Sequence, residues 1–78
     1  MIPVMNSDNG RIYGDLAEID AARRRGEPLV EVSPAFASQF VSGSTEAQRA
    51  AQTLQRLKSD MPWLSQVELE KRAREAAR

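Results

Sequence analysis

The segment 14–34 constrains this chain most, because it encodes a helix followed by a strand and marks both ends of the helix. Asp15 is a favourable N-cap, and Glu18 three residues later completes a capping-box spacing. Gly26 supplies the left-handed residue that commonly ends a helix. A helix over residues 16–25 is therefore predicted, with a narrow apolar stripe of Leu16, Ile19 and Ala22.

Strands are predicted on both sides of this helix. Residues 29–32 form a β-branched run after it. Residues 2–5 and 11–13 are short apolar segments separated by an Asn9-Gly10 turn signal, which predicts a β-hairpin. Because Pro3 cannot donate to a ladder, the first strand should lie at a sheet edge or begin after that residue.

Three helices are predicted in the rest of the chain. They start at Ser33, at Ser44 or Thr45, and at Ser65. Their apolar faces are Phe36, Phe40 and Val41, then Ala47, Ala50, Ala51, Leu54 and Leu57, then Leu69, Ala73, Ala76 and Ala77. The last face is mostly alanine and buries little area, so we expect this helix to dock weakly or to wait for a partner. Its spacing also predicts an ion pair between Glu70 and Arg74.

These elements predict an α+β fold in one small domain spanning residues 1–78. Residues 1–34 form a β-β-α-β unit with a three-stranded sheet, and residues 35–78 form a helical extension. A single core is expected for the first unit, made of Ile12, Leu16, Ile19, Val30, Val32, Phe36 and Phe40.

The composition argues against most catalytic chemistry. The chain has 78 residues, with 11 basic and 11 acidic side chains, and it contains neither cysteine nor histidine. Disulfides, the usual zinc sites, thiol nucleophiles and the commonest general base are thereby excluded. We expect no enzyme, no catalytic residue, no cofactor and no bound metal. No apolar run approaches the ~20 residues that span a bilayer, and no signal peptide is recognisable, so a cytoplasmic protein, or one in a particle assembled there, is expected.

A partner-binding surface is predicted in the C-terminal half. Pro62 ends the helix that starts at Ser44 or Thr45, so Trp63 lies at the elbow between this helix and the last one. The last helix offers mainly alanine there. The indole can either plug the gap between the two helices or bind a partner. We predict the second arrangement, with a surface formed by Trp63, Leu64, Val67, Leu69 and Ala73.

Four arginines are candidates for a phosphate or RNA contact. They are Arg11, Arg23, Arg24 and Arg25, and guanidinium groups bind phosphate through paired hydrogen bonds. The alternative for the last three is that they complement the helix dipole and keep the chain soluble. A net charge of zero argues against broad duplex binding, because such binding depends on neutralising phosphate.

Residues 2–34 also carry a set of spaced motifs. These are Val4-Met5-Asn6, Asn9-Gly10-x-x-x-Gly14, Ala21-Ala22, and Gly26-Glu27-Pro28-Leu29-Val30-Glu31-Val32-Ser33-Pro34. In this pattern the segment resembles the N-terminal domain of bacterial translation initiation factor three, a family whose domain binds the platform of the small ribosomal subunit. The resemblance implies the β-β-α-β order and a ribosome or RNA partner. The matching positions, Gly10, Gly14, Gly26, Leu29, Val30, Glu31, Val32 and Pro34, shape the fold rather than contact the ribosome.

Two functions follow from these observations. The first is a non-catalytic protein-binding subunit or accessory regulator of a larger assembly, of the kind that compact viral or phage genomes encode. The alternative is a module associated with the ribosome or with structured RNA. Both interpretations predict a binding protein rather than an enzyme.

Overall fold

The computed structural model describes residues 2–77 and shows an α+β fold, as predicted. The elements in chain order are β1 (Val4–Asn6), β2 (Ile12–Tyr13), α1 (Leu16–Arg24), β3 (Leu29–Glu31), α2 (Pro34–Ala37), α3 (Thr45–Asp60) and α4 (Gln66–Ala76). The helix N-caps are Asp15, Ser33, Ser44 and Ser65, and each side chain accepts a backbone N–H of its first turn. The local capping signals therefore predict the starts of all four helices.

The sheet is antiparallel, with β1 in the middle and the strand order β2-β1-β3. Met5 on the central strand lies opposite Ile12 of β2 and Val30 of β3. An edge position for β1 is therefore wrong, and the alternative, that the strand begins after Pro3, is confirmed. The proline still joins the sheet through its carbonyl, which accepts the Val32 N–H at 3.0 Å, although its nitrogen cannot donate the reciprocal bond.

Side chains hydrogen-bond a backbone group on the outer edge of each flanking strand. The Ile12 N–H donates to Ser42 Oγ at 2.9 Å. On the other side, the Glu31 carbonyl accepts from Lys58 Nζ at 3.0 Å and from Gln66 Nε2 at 3.3 Å. A partner strand that added to either edge would first have to displace these groups.

The two faces of the sheet pack into two separate cores, because successive side chains of a strand point to opposite faces. The core on the α1 side is built from Val4, Tyr13, Ile19 and Ala22. Met5 and Val30 face the other helices instead. The prediction of a single core is therefore wrong. Leu16, which was expected in that core, is 56% exposed.

The larger core joins the other sheet face to the three C-terminal helices. It contains Met5, Val30, Val32, Phe36, Ala47, Ala50, Ala51, Leu54, Leu69, Ala73 and Ala77. Small alanine side chains on the facing surfaces of α3 and α4 let the two helix backbones approach closely. As a result Ala73 is fully buried and Leu69 is 4% exposed. Helix α4 is therefore docked in this structure, and the strength of that docking stays a prediction.

Helix α2 is shorter than predicted. Ser33 Oγ accepts the Phe36 N–H at 3.1 Å, and the helix ends at Ala37, before Phe40 and Val41, which were predicted on its apolar face. The rings of Phe36 and Phe40 still meet at 5.1 Å between centroids. Val41 lies beyond the last helical turn, so it does not continue the apolar face and is 76% exposed.

Candidate partner-binding surface

The elbow between α3 and α4 is a tight turn held by its own hydrogen bonds. The Leu64 N–H donates to the Met61 carbonyl at 3.1 Å. Ser65 Oγ then accepts the Glu68 N–H at 3.2 Å and starts α4. Trp63 lies inside this turn, so its backbone is fixed by the groups on either side of it.

The structure divides the predicted partner surface into two parts. Trp63 is 75% exposed and Val67 is 76% exposed, so the indole does not plug the gap between the helices. Leu69 and Ala73 are buried, and Leu64 packs against the same core. The spacing of Leu64 and Leu69 is that of a hydrophobic staple at a helix start. Of the five predicted residues, Trp63 and Val67 are therefore the two that are accessible to a partner, and we call this pair the elbow surface.

An apolar groove of about 330 Å³ lies between the start of α4 and the junction of β3 with α2. Its lining includes Ile2, which is 58% exposed, together with Pro34 and Gln66. Gln66 directly precedes Val67, so the groove and the elbow surface share the first turn of α4. This groove, called the Ile2 groove below, was not predicted from the sequence.

A buried carboxylate holds α4 against the β3–α2 junction. Glu70 is 4% exposed, and its oxygens accept the Ser33 N–H at 2.7 Å, Ser33 Oγ–H at 2.6 Å and Gln66 Nε2 at 2.8 Å. The predicted ion pair between Glu70 and Arg74 is absent, because the carboxylate points into the fold. The helical spacing could have predicted that Glu70 points inward, since position 70 lies on the same face of α4 as the buried positions 73 and 77.

The candidate phosphate contacts lie at one end of the sheet. All four side chains, of Arg11, Arg23, Arg24 and Arg25, are exposed. The Asn6 N–H donates to the Arg11 carbonyl at 2.8 Å, and Asn6 Nδ2 donates to Glu27 Oε1 at 2.7 Å. Arg25 Nε donates to Glu27 Oε2 at 2.6 Å, so this guanidinium is engaged by a carboxylate of the same chain. Its hydrogen bond to Glu27 raises the pKa of Arg25.

Glu27 is a second structural carboxylate that the sequence does not reveal. Besides Asn6 and Arg25, the hydroxyl of Tyr13 donates to its Oε1 at 2.7 Å. The hydrogen bond from Tyr13, followed by those from Asn6 and Arg25, lowers the pKa of Glu27 from 4.5 to about 2. The carboxylate thereby connects β1, β2 and the segment after α1 in its charged form.

This depressed pKa predicts a loss of stability in acid. A carboxyl whose folded-state pKa lies below its unfolded value stabilises the fold above 4.5, and that contribution is lost as pH falls towards about 2. Glu27→Gln keeps the shape but removes the titrating group, so its urea midpoint should fall less steeply over this pH range. Denaturation at several pH values measures the slope, and exposed Glu75→Gln serves as the control with a wild-type slope. Equal slopes for wild type and Glu27→Gln would contradict the assignment.

The described residues 2–77 hold no group of three or more Asp and Glu side chains placed to bind a metal ion. Within the same residues, no helix has the length and apolarity to cross a membrane. No protein-family model, curated protein or solved structure matches this chain. The likeness of residues 2–34 to initiation factor three therefore stays a prediction.

Proposed function

We propose that this chain is a non-catalytic protein-binding subunit or accessory regulator of a larger assembly, and that it binds through the elbow surface. The observation that carries the proposal is the 75% exposure of Trp63 on a hydrogen-bonded turn. The cytoplasm, or a phage-type particle assembled there, is the proposed location.

Covering this indole favours association. A tryptophan side chain buries roughly 150–250 Å², so covering the exposed three quarters yields on the order of 3–5 kcal/mol of gross transfer free energy. The turn around Trp63 is already ordered by Met61 and Ser65, so little backbone entropy remains to be lost on binding. Val67, in the first turn of α4, is 76% exposed and offers further apolar area.

A second candidate function is binding to the ribosome or to structured RNA. It is favoured by hydrogen bonds through Asn6 and Glu27 that connect the Arg11 backbone to Arg25, which directly follows the last turn of α1. Arg23 and Arg24 are exposed and make no ion pair among residues 2–77. Such a site would lose affinity steeply with added salt, whereas an apolar elbow contact would respond little.

Trp63→Ala tests the first function. After the partner is captured from the native source and identified by mass spectrometry, the variant should bind it roughly 30-fold more weakly, which corresponds to a hot-spot loss of about 2 kcal/mol. Its free energy of unfolding should stay within about 0.5 kcal/mol of wild type, because the side chain is exposed. Titration calorimetry and thermal melting measure the two quantities.

Leu64→Ala is the matched control, since this neighbour packs against the core instead of pointing to solvent. It should lower the melting temperature while leaving the affinity of the folded fraction nearly unchanged. If Trp63→Ala binds the partner with wild-type affinity, the proposal that the elbow surface binds the partner is wrong. If affinity instead falls in an Arg23→Gln, Arg24→Gln double variant and falls steeply with salt, RNA binding is the better account.

A further inference from the structure

Two grooves lie at opposite ends of the line where α4 contacts residues 33–40, which we call the seam. The Ile2 groove borders Gln66 at the start of α4. A second groove of about 440 Å³ borders Arg74 near the end of the same helix, with Phe40 on the facing segment. The hydrogen bonds from Ser33 to Glu70 hold the two sides of the seam together between the grooves.

The two grooves differ in chemistry. The Ile2 groove is mainly apolar and accommodates an apolar side chain. The second, called the Arg74 groove, is polar, and both Gln39 and the half-buried Arg74 line it. Arg74 makes no ion pair among residues 2–77, because Glu70, its predicted partner, turns inward to Ser33. A guanidinium fork in this position matches a carboxylate.

The spacing of the grooves defines the length of a ligand. Gln66 and Arg74 are eight residues apart on one helix, which at ~1.5 Å per residue is about 12 Å. An extended chain rises ~3.3 Å per residue, so about four residues cover the same distance. We infer that the seam binds an extended peptide segment of the partner protein, with an apolar side chain in the Ile2 groove and a carboxylate on Arg74 about four positions away. This inference rests on the proposed protein-binding function and names the chemistry of the partner.

Nearby acidic groups distinguish a peptide from a polyanion. Glu46 lines the Arg74 groove, and Glu31 lines the Ile2 groove. A phosphate backbone along the seam would place negative charge beside both carboxylates, whereas a peptide with one acidic group places charge near Glu46 alone, where the Arg74 guanidinium offsets it. The seam therefore favours a segment that carries a single carboxylate, and it disfavours RNA.

Two synthetic peptides test the inference against the full chain labelled with ¹⁵N. One is threonine-rich and carries a leucine and, four positions later, a glutamate; the other has glutamine in place of that glutamate. The first should shift amide resonances around both Gln66 and Arg74, and the second should bind roughly tenfold more weakly. Arg74→Gln should remove this difference between the peptides while keeping a dispersed, folded spectrum.

Arg72→Gln is the control, because Arg72 is exposed and already pairs with Glu68 at 3.3 Å. It should leave both affinities unchanged. The inference is overturned if neither peptide binds, if the glutamine peptide binds equally well, or if inorganic phosphate at equal concentration shifts the same resonances. Failure of the proposed elbow surface can be distinguished from failure of this inference. In that case Trp63→Ala would bind the partner with wild-type affinity, while the difference in affinity between the two peptides would still depend on Arg74.

Discussion

Gly10→Ala is expected to lower the free energy of unfolding by roughly 2–5 kcal/mol, combining a left-handed backbone with an overpacked contact. The residue has φ +78, a conformation that costs a side chain bearing Cβ about 1–2 kcal/mol. An added Cβ would also lie 2.6 Å from the Gln48 nitrogen and 2.8 Å from the Ser44 carbonyl oxygen. Both are backbone atoms at the start of α3, so neither can swing aside.

Gly26→Ala separates these two causes. Gly26 has nearly the same φ, +76, but nothing lies within 4 Å of an added Cβ. Its substitution should therefore cost only the conformational part, about 1–2 kcal/mol. Urea denaturation with linear extrapolation gives both values. Equal losses at the two glycines would show that the contact between the hairpin loop and α3 contributes nothing.

Gly10 also illustrates which parts of the fold could be predicted from sequence. The turn itself follows from Asn9-Gly10, and the helix starts follow from single capping residues, because these signals involve neighbours along the chain. The docking of the loop on α3 could not be predicted. It joins Gly10 to Gly43 by a 2.9 Å hydrogen bond across more than thirty residues, and no local pattern encodes that contact.

The assignment of residues to cores failed for a related reason. Strands of two or three residues contain too few side chains to show a clear alternation, so Val30 was placed in one core with Ile19 of α1, although Val30 faces the C-terminal helices. Leu16 was counted as buried from helical spacing alone. At the first position of α1 it is exposed.

The candidate site was predicted in part. Trp63 and Val67 are exposed as a partner surface requires, but Leu69 and Ala73 lie on the opposite face of α4. Weak docking was predicted from the small apolar area of the alanine side chains on α4. Close packing of α4 depends also on the small side chains of the facing helix α3, which the area of α4 alone does not reveal. Glu70 was assigned to a surface ion pair because its actual partner, Ser33, is distant in the sequence and no local pattern reveals the contact.

Phe36→Ala is expected to cost about 3–5 kcal/mol, the range for deleting a fully buried phenylalanine. The ring has no exposed surface and belongs to the core that joins the sheet to α3 and α4. Native domains hold about 0.05–0.15 kcal/mol per residue, which for 78 residues gives roughly 4–12 kcal/mol in total. The substitution therefore removes at least a quarter of the stability and lowers the melting temperature by many degrees.

Phe40→Ala provides the comparison, since its ring contacts Phe36 at 5.1 Å but is only partly buried. A loss of about 1–2 kcal/mol is expected there, as for other half-covered positions. Far-ultraviolet circular dichroism is the suitable readout, because the single tryptophan, Trp63, is exposed in the fold and its fluorescence would change little on unfolding. If both variants melt at the same temperature, the burial that distinguishes the two rings does not determine their contributions, and Phe36 does not hold the sheet to the helices.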